Sequence, residues 1–284
     1  HPGAAAPPAE PAADMAPVRA IQPGVLEIRC LGPFQLVSAG RVILPEAFKR
    51  RRSLTVLKIL LARYGKPVHR EELMEMLWPE QHPEESRKLL NSAIHYLRRS
   101  LAPAGEAGRE AFILRDGESY AFDVTAAHRI DTVEFETSVR EAARLESRDD
   151  AAGAAAACRQ AIALYRGDFL EEDRWSDWCA LEREYFRERL LSLLRTATDL
   201  HVAIGDLGAA EACCRRALQV DPVLEDVHRK LMAVLWHAGR RAEALKQFEE
   251  CREVLVRELG IEPLAETRAL ARSISEAEAT DLTF

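Results

Sequence analysis

Aromatic residues are scarce in this chain of 284 residues, with Phe, Trp and Tyr together making up 6%. So small a share, beside 48% hydrophobic and 30% charged residues, argues against a β-sandwich or barrel and for a helix-rich protein. No run approaches the ~20 apolar residues that a membrane span needs. The Pro/Ala-rich start also lacks the basic-then-apolar order of a signal peptide, so the expectation is a cytoplasmic protein without membrane contact. The six cysteines, Cys30, Cys158, Cys179, Cys213, Cys214 and Cys251, include no C-x-x-C pair. Set mostly among helical apolar residues, they read as core positions of a reduced protein. Signatures of catalysis are missing as well. The eight histidines are scattered without H-E-x-x-H or a Cys/His metal spacing, no G-x-S-x-G occurs, and Gly65-Lys66 lacks the rest of a phosphate-binding loop. The reading therefore assigns no catalytic residue, no metal and no cofactor.

The net charge of −7 argues on its face against nucleic acid, but it is unevenly spread. Residues 25–123 hold 16 Lys+Arg against 13 Asp+Glu, a balance of +3, whereas residues 124–284 hold 22 against 31, a balance of −9. The acidity belongs to the second half, and the first is free to meet phosphate.

Residues 1–24 carry six of the fourteen prolines and almost no bulky apolar side chain, which predicts a disordered arm. From Val25 to Leu44 the apolar period is short, with Leu26, Ile28 and Cys30 alternating before Gly32-Pro33. Two or three small strands are expected there. The period then lengthens. Leu57, Leu60, Leu61 and Tyr64 predict a helix stopped by Gly65 and Pro67; Leu73, Leu77 and Trp78 predict a second stopped by Pro79; a third spans 84–101. A hairpin follows, Phe112-Ile113-Leu114 and Tyr120-Ala121-Phe122 around the turn residues Asp116-Gly117-Glu118-Ser119. Three short helices and a hairpin describe a winged helix-turn-helix.

Beyond Asp131 the pattern is helical almost to the end. Gly205 and Gly239 open related segments 34 residues apart, the tetratricopeptide period. Cys158-Arg159-Gln160-Ala161 and Cys214-Arg215-Arg216-Ala217 repeat at 56 residues, so an earlier repeat is degenerate. The expected architecture is mainly α: a winged helix-turn-helix (α+β) over 25–125, an all-α tetratricopeptide-like repeat domain over 126–275, and a tail from 276.

The third helix carries the recognition argument. Leu90, Ile94, Leu97 and Leu101 form one stripe that must face the other helices, so the opposite face presents Lys88, Asn91, Ser92, His95 and Arg99, flanked by Arg87 and Arg98. Lys and Arg suit phosphate or guanine edges, and Asn pairs bidentately with adenine. An ordinary solvated helix face is often this basic. Two further positive elements, the run Lys49-Arg50-Arg51-Arg52 before the first helix and Arg115 in the hairpin, shift the balance towards DNA, because a winged helix is expected to gather all three on one side.

These residues carry a resemblance. Arg50-Arg51-Arg52, Leu57, Leu60-Leu61, Glu72-Leu73, Leu77-Trp78-Pro79, Leu90 and Leu97-Arg98-Arg99-Ser100-Leu101 resemble the OmpR-type winged helix of the Streptomyces antibiotic regulatory protein (SARP) family. Asp131, Phe135, Leu164-Tyr165-Arg166-Gly167, Trp178, Glu243-Ala244-Leu245 and Glu258-Leu259-Gly260-Ile261-Glu262-Pro263 resemble that family's bacterial transcriptional activator domain. The likeness runs from about Val25 to Ile274. The family's Gly-Tyr pair in the second wing strand is split here, Gly117 and Tyr120 flanking Glu118-Ser119. With no nucleotide-binding region following, the chain resembles the short form of the family or a piece of a longer one. The resemblance implies transcription activation: binding of double-stranded promoter DNA at direct repeats, a homodimer on DNA, and recruitment of RNA polymerase. Residue by residue it matches Lys88, Ser92, His95, Tyr96, Arg98 and Arg99.

The helical half has a plainer reading. Its Leu, Ala and Cys are core positions, Trp175, Trp178 and Trp236 are expected to pack, and Glu171-Glu172-Asp173 is expected to be a solvated loop. The rival to a DNA-binding activator is a protein-interaction scaffold whose repeats are the main working surface.

Overall fold

The computed structural model describes residues 25–38, 41–43, 48, 51–101 and 112–276; the expected arm 1–24, Lys49, Arg50 and the tail after 276 lie outside the described residues. In β1 (Leu26–Arg29) the alternation seen in the sequence becomes a pleat, burying Leu26 and Ile28 while Glu27 and Arg29 stay half-buried. It pairs antiparallel with β2 (Gln35–Ser38), which pairs with β3 (Arg41–Ile43). Helices α1 (Arg51–Ala62), α2 (Arg70–Leu77) and α3 (Pro83–Leu101) follow. Val56, Leu57, Leu60, Leu73, Leu77, Leu90 and Leu97 are fully buried between them and the sheets. The hairpin is β5 (Ile113–Asp116) and β6 (Ser119–Phe122), joined in one sheet to the two-residue β4 (Val68–His69).

A further strand, β7 (His128–Ile130), was not anticipated. It lies parallel to β1, giving the sheet order β3-β2-β1-β7. A parallel pair requires a long crossover, and here the crossover is the winged-helix region itself. That region therefore starts and ends on neighbouring strands, and α4 (Asp131–Glu146) begins immediately after β7.

Five more helices carry the acidic half to α9: α5 (Ala151–Leu164), α6 (Ala180–Ala203), α7 (Leu207–Val220), α8 (Glu225–His237) and α9 (Arg241–Leu259). With the final α10 (Ala265–Glu276), each packs chiefly on the next, as in a solenoid. Both sequence periods have structural counterparts. Gly205 and Gly239 adopt φ of 77° and 74°, the left-handed conformation that ends α6 and α8. Asp150 and Asp206 cap α5 and α7, accepting from the Gly153 and Ala209 N–H groups at 2.8 and 3.0 Å. All six cysteines are buried.

The two halves meet along a seam of backbone and charge. Cys30, Leu31 and Gly32 run beside residues 166–170: the Gly32 N–H donates to the Asp168 carbonyl at 3.1 Å, Arg166 N–H to Leu31 at 3.2 Å, and Leu170 N–H to Cys30 at 2.8 Å. At the end of β7 the Asp131 carboxylate, 6% exposed, accepts from the N–H groups of Cys30 and Leu31 at 2.8 to 2.9 Å and from the Arg166 guanidinium at 3.0 Å. Burial raises its pKa from the ordinary aspartate value, against the pull of those donors. Lys58 of α1, only 7% exposed, reaches Asp173 at 2.5 Å and lies 4.9 Å above the Phe34 ring. The Phe34 N–H donates to Glu172 at 2.7 Å, and Arg63 pairs with Glu182. Glu171 and Glu172 are exposed, as a solvated acidic segment would be, but the Glu172 and Asp173 carboxylates also bind the winged helix, because burial of Lys58 demands a counter-charge. Trp175, expected to pack, is 86% exposed.

Gly32 sits at φ 110°, and a Cβ there would meet Arg166 Cβ and Gly167 N at 3.1 Å. Gly32→Ala is expected to destabilise the protein by about 2 kcal/mol, from strained φ plus the clash. Urea unfolding measures it, and an unchanged midpoint would mean that the seam yields at this point.

Candidate nucleic-acid interface

Helix α3 starts with Pro83 at its first position and carries Glu84 and Glu85 in its first turn and Arg98 and Arg99 in its last. Both ends complement the helix dipole. Its 19 residues extend over about 28 Å, and a helix of ~10–12 Å diameter fits a major groove ~12 Å wide. The stripe Leu90, Ile94, Leu97, Leu101 is buried, with Ala93 and Ser86 beside it. Opposite it, Arg87, Lys88, Asn91, His95 and Arg99 are exposed and Ser92 is half-buried.

Two flanking residues have protein partners. Arg98 is half-buried and donates to the Ile113 carbonyl of β5 at 3.0 Å, tying the end of α3 to the wing. Tyr96 is half-buried, its ring meeting that of His95 edge to face at 5.6 Å between centroids.

The wing closes over the other end of α3. Register pairs Asp116 with Ser119, leaving Gly117, at φ 56°, and Glu118 as a two-residue turn. Arg115 is exposed; its Nε donates to the Gly117 carbonyl at 3.0 Å, and its guanidinium lies 5.9 Å from the Tyr120 ring centroid. Between α3 and this turn is a cleft of about 220 Å³ lined by Arg70, Arg87, Leu90, Asn91, Arg115, Glu118 and Tyr120.

Two of the basic candidates therefore occupy different ground from the α3 face. Arg51 and Arg52 are exposed at the start of α1, but they line another cleft, of about 530 Å³, shared with Met76 and with Asp173, Ser176, Asp177 and Trp178 of the helical half. Arg50 lies outside the described residues. Arg87, Asn91 and Arg115 come together instead, and they are joined by two residues that sequence reasoning passed over, Arg70 and Glu118. The split of the Gly-Tyr pair by Glu118-Ser119 was the signal for Glu118; nothing local marked Arg70. Among the described residues no group of His, Cys, Asp or Glu is arranged to hold a metal ion, and no helix is long and apolar enough to cross a membrane.

Comparisons with known proteins divide the chain at the same junction. The bacterial transcriptional activator domain matches residues 130–275, and the C-terminal domain of transcriptional regulatory proteins matches residues 49–122. Regulatory protein DnrI of Streptomyces peucetius is 31% identical over 261 residues, 89% of this chain and 93% of DnrI. Regulatory protein AfsR of Streptomyces coelicolor is 25% identical over 92% of this chain, which corresponds to 25% of AfsR. The solved structure of Mycobacterium tuberculosis EmbR, in complex with a low affinity phosphopeptide, shares the fold with a TM-score of 0.73 at 21% identity, covering 88% of this chain and 65% of EmbR. DnrI and AfsR are both named as regulatory proteins. A winged helix built on α3, a solenoid matched by the activator domain over just over half the chain, and a likeness to DnrI spanning almost the whole of both proteins make this chain a member of the SARP family of transcriptional regulators.

Proposed function

We propose that this regulator activates transcription by placing α3 in the major groove of promoter DNA, reading bases through Lys88, Ser92, His95 and Arg99, with Asn91 at the edge of that set. The single observation that carries the reading is the exposed cationic face of α3, set opposite a buried stripe and beside Arg115 of the wing. Such a face offers donors to guanine edges and phosphates alike. Arg87, Tyr96, Arg98 and Arg115 flank the base-reading set, and Arg50, Arg51 and Arg52 add positive charge at the start of α1. Residues 25–125 form the DNA-binding unit and residues 126–275 the activating one. The latter, with its acidic surplus, meets RNA polymerase rather than DNA. Two copies bind as a homodimer at direct repeats.

Pull-down of sheared genomic DNA by the purified protein is the test. Enrichment of discrete promoter fragments is expected, with log affinity falling against log salt by roughly 0.9 per phosphate contact. If no fragment is enriched, or affinity is indifferent to salt, the scaffold alternative takes over, with the exposed Trp175 and Leu181 as its obvious contact points.

A further inference from the structure

We infer that the cleft between α3 and the wing turn takes one phosphate of the DNA backbone, and that Glu118 occupies this cleft in the free protein as an internal competitor, held there by Arg70. The inference rests on the DNA-binding reading above and adds to it a named phosphate site and a residue that opposes binding.

Three arginines, Arg70, Arg87 and Arg115, and Asn91 are among the residues that line about 220 Å³. Guanidinium forks match phosphate oxygens, and an amide can donate beside them. With each water taking ~30 Å³, the space admits a phosphate group and several waters. Position supports the same ligand. When α3 fills the major groove, the strand that separates this groove from the neighbouring minor groove must pass between α3 and the wing, and what that strand presents there is sugar and phosphate.

The one acid in the cleft is Glu118. Its carboxylate pairs with the Arg70 guanidinium, and its backbone carbonyl accepts from the Arg70 N–H at 2.9 Å, so the turn is held from both sides. Arg70 is mostly covered, and its Nε is buried with no hydrogen-bond partner. Glu118 is 46% exposed and can swing outwards. A carboxylate and a phosphate compete for the same guanidiniums. Glu118 therefore lowers affinity for every DNA sequence alike while leaving base discrimination by α3 untouched.

The test uses the full chain and a fluorescein-labelled 30-base-pair duplex of arbitrary sequence, with anisotropy titrations across a KCl series and a thermal melt for each variant. Glu118→Gln is expected to bind about 3- to 10-fold more tightly, with a salt slope steeper by up to one unit, as one more cation becomes available to the backbone. Arg87→Ala and Arg115→Ala are expected to bind more weakly with slopes shallower by about 0.9. Where the Gln variant melts early, Glu118→Ala replaces it. A Glu118 variant that melts normally but binds no more tightly than wild type overturns the inference and leaves DNA binding standing. Wild type that fails to bind the duplex at all overturns both. Inorganic phosphate that raises the melting temperature of wild type without DNA, and abolishes the Glu118→Gln gain at equal ionic strength, would make the cleft a site for the free anion and overturn the assignment to the DNA backbone.

Discussion

Replacing Lys88 and Arg99 together by alanine is expected to weaken binding to an enriched promoter fragment by at least about 30-fold, while the unfolding temperature stays near that of wild type. The two side chains are exposed on α3, about three turns apart, on the face opposite Leu90, Ile94, Leu97 and Leu101. Each base-edge contact is worth ~1–3 kcal/mol of discrimination, so losing two costs about 2 kcal/mol at the least, and tenfold in affinity corresponds to ~1.4 kcal/mol. Truncating exposed side chains changes stability by only about 0.5 kcal/mol, so the loss separates recognition from folding. Anisotropy at one fixed salt concentration, on the enriched fragment and on an arbitrary duplex, is the measurement. A larger loss on the enriched fragment assigns base readout to these residues. Equal losses on both would reduce them to phosphate contacts, and a loss below twofold on both would remove α3 from the interface.

Asp131→Asn is expected to cost about 3 kcal/mol of stability and to loosen the winged helix from the solenoid. All the groups that meet this carboxylate are donors: the N–H groups of Cys30 and Leu31 and the guanidinium of Arg166. An asparagine offers one acceptor oxygen and turns an NH₂ towards the remaining donors, leaving a buried N–H unsatisfied and a guanidinium without its counter-charge. Breaking a buried pair from one side costs ~3–5 kcal/mol even where the intact pair adds little, and burial, which raises the pKa of Asp131, opposes its charge. Urea unfolding gives the energy, and limited proteolysis near residues 30–33 gives the loosening. An Asn variant as stable and as resistant as wild type would show that the backbone pairing at the seam suffices without the carboxylate.

Much of the fold was legible because most of its elements follow a local apolar period, of two in the strands and 3.6 in the helices. The buried stripe of α3, its cationic opposite face, the hairpin around Gly117, and the 34-residue spacing of Gly205 and Gly239 can all be read from residue type and position alone. Strand β7 was not legible: three residues, His128, Arg129 and Ile130, carry no periodic signal, and they form a strand because β1 supplies the partner. Nothing local in the sequence marks Lys58 as buried: the acids that neutralise it, Glu172 and Asp173, lie more than a hundred residues away. Trp175 reads as core for its size and stands exposed beside Arg174, whose guanidinium lies 5.2 Å from its ring centroid.

The basic elements show the same division. Sequence alone determined that the first half is the cationic one, that a helix over 84–101 exposes Lys88, Asn91, His95 and Arg99 with Ser92 half-buried among them, and that the second half is an acidic helical stack. Those properties follow from local composition and a period of 3.6, which distant residues cannot alter. Only the tertiary structure decided how the charges are grouped. It placed Arg51 and Arg52 in a cleft against Asp173 and Asp177 and gathered Arg70, Arg87 and Arg115 around Glu118. It also joined the two halves through Asp131. Contacts of that kind join residues far apart in the chain, and their energies depend on burial and distance, which exist only once the chain has folded.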